Sequence, residues 1–136
     1  MKKILIVDDH PDIRTIIKLA LRNRFALEEA DNAVDALEII ESAPPSAVIL
    51  DVMMPGELDG FGLCRHIKSD PRLTDIHIIL LTARAQIADQ ERGYALGANA
   101  YFIKPFSPLA LALHLDSVLT TGQSSSTSAS PATPTP

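Results

Sequence analysis

The chain reads as an α/β protein, a three-layer sandwich in which five helices cover a central sheet of five parallel strands. Three observations predict it. Short apolar runs without polar alternation recur along the sequence, the pattern of strands buried on both faces. Each is followed by a segment with apolar residues at helical spacing, so strands and helices alternate, which requires right-handed crossovers. Four of the five runs also end abruptly in a polar or charged residue. In a parallel sheet those residues share one edge, where open α/β folds build their ligand crevices.

The first strand covers Lys2 to Val7 and runs into Asp8-Asp9. Pro11 suits a first helical turn, where its missing N–H has no partner to lose, and Ile13, Ile16, Ile17, Ala20 and Leu21 recur at helical spacing to about Arg24. Phe25 to Ala30 is short and mixed, which suits an edge strand. Asp31 or Asn32 can cap a second helix carrying Ala33, Ala36, Leu37 and Ile40, and Pro44-Pro45 stops it. The third strand, Ser46 to Asp51, is the most uniformly apolar and ends in a carboxylate. A turn-rich stretch from Met53 to Asp59 leads to a third helix, Gly60 to Ser69, with Phe61, Leu63, Cys64 and Ile67 on its apolar side. Asp70-Pro71 ends it.

The fourth strand, Ile76 to Leu81, passes through Thr82 into a helix from about Gln86 to Leu96. Gly93 weakens that helix and Gly97 is placed to cap it, so it is the helix expected to move. Ala100 to Ile103 forms the fifth strand and runs into Lys104-Pro105. Ser107 as N-cap and Pro108 at the first helical position open the last helix, to about Leu119.

With 136 residues, 46% of them hydrophobic, the chain can bury one core, and one domain is expected over residues 1–119. Residues 120–136, TTGQSSSTSASPATPTP, carry no charge and no large apolar side chain, so burial cannot offset their ordering entropy. A disordered tail or linker is expected. The net charge of -5 and the absence of a basic stripe argue against direct nucleic-acid binding, which needs clustered cations to displace counterions. Two aspartates stop the first apolar run too early for a signal peptide, and no run approaches transmembrane length. A lone Cys64 cannot form an internal disulfide, and together these features predict a cytoplasmic protein without membrane attachment.

Singly, each strand-end residue has a plain structural reading: Asp8 or Asp9 as a helix cap, Asp51 in a turn, Thr82 as a cap, Lys104 exposed in a loop. Their coincidence at one edge points elsewhere, because crowded acids repel unless a cation neutralises them. Mg²⁺ fits best, since it prefers carboxylate oxygen and binds through one or two carboxylates plus a phosphate. Asp9 and Asp51, supported by Asp8 and a main-chain carbonyl after Asp51, would supply that site. Lys104 adds a point charge and Thr82 a hydrogen-bond donor to a phosphoryl oxygen. A carboxylate attacking phosphorus gives an aspartyl phosphate, a known kind of covalent intermediate. His10, His66, His77 and His114 show no zinc spacing.

Five segments carry a family resemblance: ILIVDDHPD at 4–12, VILDVMMPG at 48–56, DGFGLCRHIK at 59–68, IILLTA at 78–83 and GANAYFIKPF at 97–106. Over about residues 2 to 119 the chain resembles the receiver domain of two-component response regulators, CheY-like proteins. The resemblance implies a flavodoxin-like fold with strand order 2-1-3-4-5. It implies that Asp51 accepts a phosphoryl group from a histidine kinase or phosphotransfer protein, with Asp8, Asp9, Asp51 and the Met53 carbonyl at the metal. Thr82 and Lys104 match the hydroxyl and lysine that read phosphoryl oxygens, Thr82 and Tyr101 the switch pair, and Lys104-Pro105 a cis peptide.

The implied mechanism is a two-state switch in which phosphorylation draws in Thr82, lets Tyr101 turn inward and changes the surface around the fourth helix, fifth strand and fifth helix. A downstream protein would read that surface, and a phosphorylation-dependent homodimer is one form the output could take. Such a protein is a signalling phosphoacceptor that catalyses only its own Mg²⁺-dependent phosphorylation and dephosphorylation. Met53 and Arg84 flank the path of attacking water, so slow hydrolysis is expected.

The chain departs from the family pattern in a loop, Pro55 to Gly60, one residue longer than the common form, in His77 where proline is common, and in Asn99-Ala100 where acids are usual. The sequence predicts either a single-domain regulator or a piece of a longer one. The alternative is a receiver-like module that binds proteins without phosphorylation. A flavin carrier would need a phosphate-cradling loop where Asp8-Asp9-His10-Pro11-Asp12 stands. A phosphatase using Asp51 would need a second acid where Met53 stands, and the glycine-rich lysine loop of Walker-type hydrolases is missing.

Overall fold

The computed structural model describes residues 1–54, 56, 58–83 and 87–120. Strands β1 (Lys3–Val7), β2 (Ala26–Ala30), β3 (Ala47–Asp51), β4 (His77–Thr82) and β5 (Ala100–Ile103) alternate with helices α1 (Pro11–Leu21), α2 (Ala33–Ser42), α3 (Gly60–Ser69), α4 (Ile87–Ala95) and α5 (Pro108–Leu115). A π-helical turn, Asp116–Thr120, continues α5. All neighbouring strands pair in parallel, in the order β2-β1-β3-β4-β5. This is the expected doubly wound sandwich.

Residues alternate between two cores because successive strand side chains point to opposite faces. Leu5, Val7, Val48, Leu50, Ile78 and Leu80 pack with Ala36 and Ile40 of α2 and Leu63 and Ile67 of α3. Ile4, Ile6, Ile49, Ile79 and Leu81 pack with Ile17 and Leu21 of α1 and Leu111 and Leu115 of α5. The central strands are buried on both sides, which is why their sequences show no polar alternation. Each such Ile or Leu contributes roughly 1.5–3 kcal/mol through burial.

At the edge, β2 buries only Ala30, and its charges protect it from pairing with another chain. Glu28 meets Lys3 at 3.3 Å, while Glu29 meets Arg14 at 2.9 Å and Lys18 at 2.8 Å.

Local chemistry decides the helix ends. Asn32, rather than Asp31, caps α2, accepting the Asp35 N–H at 2.8 Å. Asp59 caps α3 by accepting the Gly62 N–H at 2.8 Å, an N-cap that the turn-rich sequence around it conceals. Ser107 caps α5 through the Ala110 N–H at 3.1 Å. Gly97, at φ 103°, closes α4, with its N–H on the Tyr94 carbonyl and the Ala98 N–H on the Gly93 carbonyl. That paired 5→2 and 6→1 arrangement needs a left-handed residue, so glycine belongs there.

Helix α1 ends at Leu21, three residues before its expected end, and β3 and β4 each start one residue later than expected. Among the described residues no helix is long and apolar enough to cross a membrane. Pro55, Glu57, Arg84, Gln86 and the tail from residue 121 lie outside the described residues.

Candidate functional site

The C-terminal ends of β1, β3, β4 and β5 converge, and three polar residues there are buried: Asp8, Asp51 and Thr82. Elsewhere among the described residues the buried side chains of the core are apolar. Burying two carboxylates costs several kcal/mol each unless they are paired and hydrogen-bonded. Lys104 supplies the pairing. Its ammonium lies 3.0 Å from Asp8 Oδ2 and 3.4 Å from Asp51 Oδ2. The lysine is delivered from the end of β5, where its own N–H donates to the Thr82 carbonyl at 2.7 Å, and the Lys104–Pro105 peptide is cis.

Hydrogen bonds fix the remaining oxygens. The Met53 N–H donates to Asp51 Oδ1 at 3.0 Å, and the His10 N–H donates to Asp8 Oδ1 at 2.8 Å. Asp8 therefore holds the backbone leading into α1 rather than capping the helix, whose N-cap is His10. Arg14 Nη1, one turn into α1, donates to the Asp8 carbonyl at 2.7 Å and is itself held by Glu29.

The electrostatics are unbalanced. Burial pushes the Asp51 carboxyl above its ordinary pKa, and the neighbouring Asp8 adds to the rise, while the Met53 N–H and Lys104 oppose it. Among the described residues one ammonium serves two buried acids, with Asp9 beside them.

An added cation would complete the set. Asp8, Asp9, His10 and Asp51 each place a ligand atom within 4.8 Å of the others. Asp9 Oδ1 is buried and accepts no hydrogen bond, although His10 Nδ1 lies 3.2 Å away. That orphaned oxygen, aimed among buried carboxylates, fits a hard divalent cation.

Tyr101 is also placed. It is buried at 7% exposure, with its ring 6.4 Å from that of Tyr94 on α4. The structure thus brings together Asp8, Asp9, Asp51, Thr82 and Lys104, with Met53 beside them and Tyr101 at the adjoining face. Reasoning from sequence missed three participants: His10 in the acidic cluster, Arg14 behind Asp8, and Gly60, whose α-carbon packs under Asp51. Only His10 had a local signal, its place directly after the acidic pair.

The buried acids give a test that needs no phosphoryl donor. Asp51→Asn is expected to stabilise the metal-free protein by about 1 kcal/mol near pH 8, since it removes a buried charge next to Asp8 while keeping an acceptor for Met53. A raised folded pKa means that the wild type gains stability as pH falls through it, so the advantage of the variant should shrink in acid. Urea unfolding in EDTA at pH 8 and pH 5 would check this, and a variant less stable than wild type at pH 8 would contradict it.

Fold and site together define a doubly wound α/β protein with an acidic pocket at its strand ends. Residues 4–116 match the family model of the response regulator receiver domain, and the chain belongs to that family. It is 42% identical over 120 residues to a probable transcriptional regulator, ycf27, of Guillardia theta, covering 87% of this chain and 45% of that one. It is 40% identical over 123 residues to the transcriptional regulatory protein GltR of Pseudomonas aeruginosa, covering 90% and 50%.

The chain thus spans about half the length of these curated relatives. Among solved structures it resembles the chemotaxis protein CheY4 of Vibrio cholerae, with a TM-score of 0.81 at 30% identity, covering 88% of this chain and 99% of that one. The receiver domain of a Syntrophus aciditrophicus histidine kinase gives 0.82 at 33% identity, covering 96% and 98%. Receiver domains work with histidine kinases and downstream effectors and generally bind Mg²⁺.

Proposed function

We propose that Asp51 is the phosphoacceptor of this chain, taking a phosphoryl group from the phosphohistidine of a kinase or phosphotransfer protein. The observation that carries this reading is the single buried carboxylate at the end of β3 that faces both an N–H donor and an ammonium, 3.0 Å and 3.4 Å away. An Asp51 oxygen forms the new bond to phosphorus as the phosphorus–nitrogen bond of the donor breaks, and the electron pair returns to the departing imidazole. The Met53 N–H holds the other carboxylate oxygen, which keeps the nucleophile aimed. Lys104 shares its charge between Asp8 and Asp51 and is placed to follow a phosphoryl oxygen. Thr82, at the end of the adjacent strand, supplies the hydroxyl donor.

Asp8, Asp9, Asp51 and the Met53 carbonyl would hold Mg²⁺. Bound there, the ion would offset the negative charge that gathers on the transferring group. The chain turns over no separate substrate in this reading; it catalyses its own phosphorylation and dephosphorylation in the cytoplasm. Its output passes through protein contacts on the α4-β5-α5 face, with Thr82 and Tyr101 as the switch. In this reading phosphorylation biases a pre-existing equilibrium between two arrangements of that face. The names of the relatives favour control of transcription as the distant output.

Incubation with acetyl phosphate and Mg²⁺, followed by intact-mass measurement, tests the assignment. One phosphoryl increment is expected on wild type, none on Asp51→Ala, and none with EDTA. An increment that survives in Asp51→Ala would overturn it, and no adduct or beryllofluoride binding on folded wild type would favour the module that works without phosphorylation.

A further inference from the structure

His10 has no part in the function set out above, yet its ring sits in the acidic cluster. Nδ1 lies 3.1 Å from Asp8 Oδ1 and 3.2 Å from Asp9 Oδ1. The plain explanation is that His10 is only the N-cap of α1. That account covers its backbone, whose N–H donates to Asp8; the ring makes no capping bond to the helix and instead shares a hydrogen bond with Asp8 Oδ1, which turns Nδ1 toward the cluster. The ring is also 62% exposed, so packing does not hold it against the carboxylates.

The ligand atoms of Asp8, Asp9, His10 and Asp51 fall within 4.8 Å of one another. Two ligands on opposite sides of one divalent ion stand about 4.4 Å apart, given bonds of roughly 2.2 Å. Modest closure would therefore let the imidazole share an ion with the carboxylates. Its nitrogen changes what the site prefers. Mg²⁺ gains little from imidazole, whereas affinity for nitrogen-containing sites rises along the first-row series from Mn²⁺ through Co²⁺ and Ni²⁺.

We infer that His10 is a specificity-determining ligand, which makes the preference of this site for first-row transition ions over Mg²⁺ larger than its carboxylates alone would confer. The inference rests on the metal reading of the acidic cluster. It predicts that this chain responds to the supply of Mn²⁺ or Co²⁺ as well as to phosphoryl donors.

Calorimetric titration of wild type and His10→Gln with Mg²⁺, Mn²⁺ and Co²⁺ at one fixed pH tests it. The Co²⁺ to Mg²⁺ affinity ratio should fall about tenfold in the variant, with Mg²⁺ affinity changed less than threefold. Pulsed electron paramagnetic resonance of the Mn²⁺ complex should show nitrogen coupling in wild type and lose it in His10→Gln. An unchanged ratio together with normal Mg²⁺ binding would overturn the role of His10 and leave the metal site standing. Nitrogen coupling that persists unchanged in the variant would assign the signal to a nitrogen other than the His10 ring and also overturn it. Failure of folded wild type to bind any of the three ions would overturn both readings.

Discussion

Replacing Gly60 with alanine is expected to destabilise the protein by about 3 kcal/mol and to slow phosphorylation of Asp51. A β-carbon at this position would stand 2.3 Å from the Asp51 carbonyl oxygen and 2.7 Å from the Val52 α-carbon. Both are backbone atoms, so no side-chain rotation relieves the clash. Either the start of α3 must lift away or the segment after β3 must move, and that segment carries Asp51 and the Met53 N–H that holds it. Intrinsic helix propensity works in the other direction, favouring alanine over glycine by about 1 kcal/mol. The steric effect should still win, because a contact this short cannot be tolerated.

Gly62 provides the control. A β-carbon there would approach Leu58 Cδ1 at 2.7 Å, the far end of a flexible side chain, and the next atom only at 3.3 Å. Gly62→Ala should therefore change stability by less than about 1 kcal/mol. Urea unfolding of both variants, with unchanged denaturant slopes, measures the difference. A Gly60→Ala protein as stable as wild type would show that α3 is not pressed against the phosphoacceptor strand.

Gly60 also shows what was legible in the sequence and what was not. The fold was legible because burial on both faces forces continuous apolar runs, and because helices must repeat every 3.6 residues to bury one side. Asp8, Asp51, Thr82 and Lys104 were legible as a set because a parallel sheet gathers the ends of its strands. The one-residue offsets of β3 and β4 were not, since an apolar run does not reveal where ladder hydrogen bonds begin. Nor did spacing show that α3 would close on Asp51, that Arg14 would reach back to the Asp8 carbonyl, or that the His10 ring would turn toward its acidic neighbours. These are contacts across elements, and a periodic pattern specifies only the face of an element.

The same limit hid the pairing of His77 and His114, which are 37 residues apart, and the pairing gives the protein an acid sensitivity remote from Asp51. The two Nε2 atoms are 2.9 Å apart, so one ring donates to the lone pair of the other. Phe102 packs edge-on against His114 at 5.7 Å. Burial, with smaller repulsion from His114 and from Lys68 on α3, pushes the His77 pKa down to about 4, and burial lowers that of His114. As pH drops below the ordinary value of 6.5, the unfolded chain takes up a proton at His77 that the folded chain refuses.

Stability should thus fall through that window until the folded histidine also titrates. At 1.36 kcal/mol per pH unit the interval is worth roughly 3 kcal/mol, and His114 adds loss of the same sign. Asp51 acts oppositely, because its raised pKa yields stability as pH falls. Comparison of variants removes that contribution. Between pH 7 and pH 4.5, the unfolding free energy of His77→Leu/His114→Leu should decline about 3 kcal/mol less than that of wild type. Parallel pH profiles for the two proteins would mean that the imidazole pair is open to water and protonates freely in the folded state.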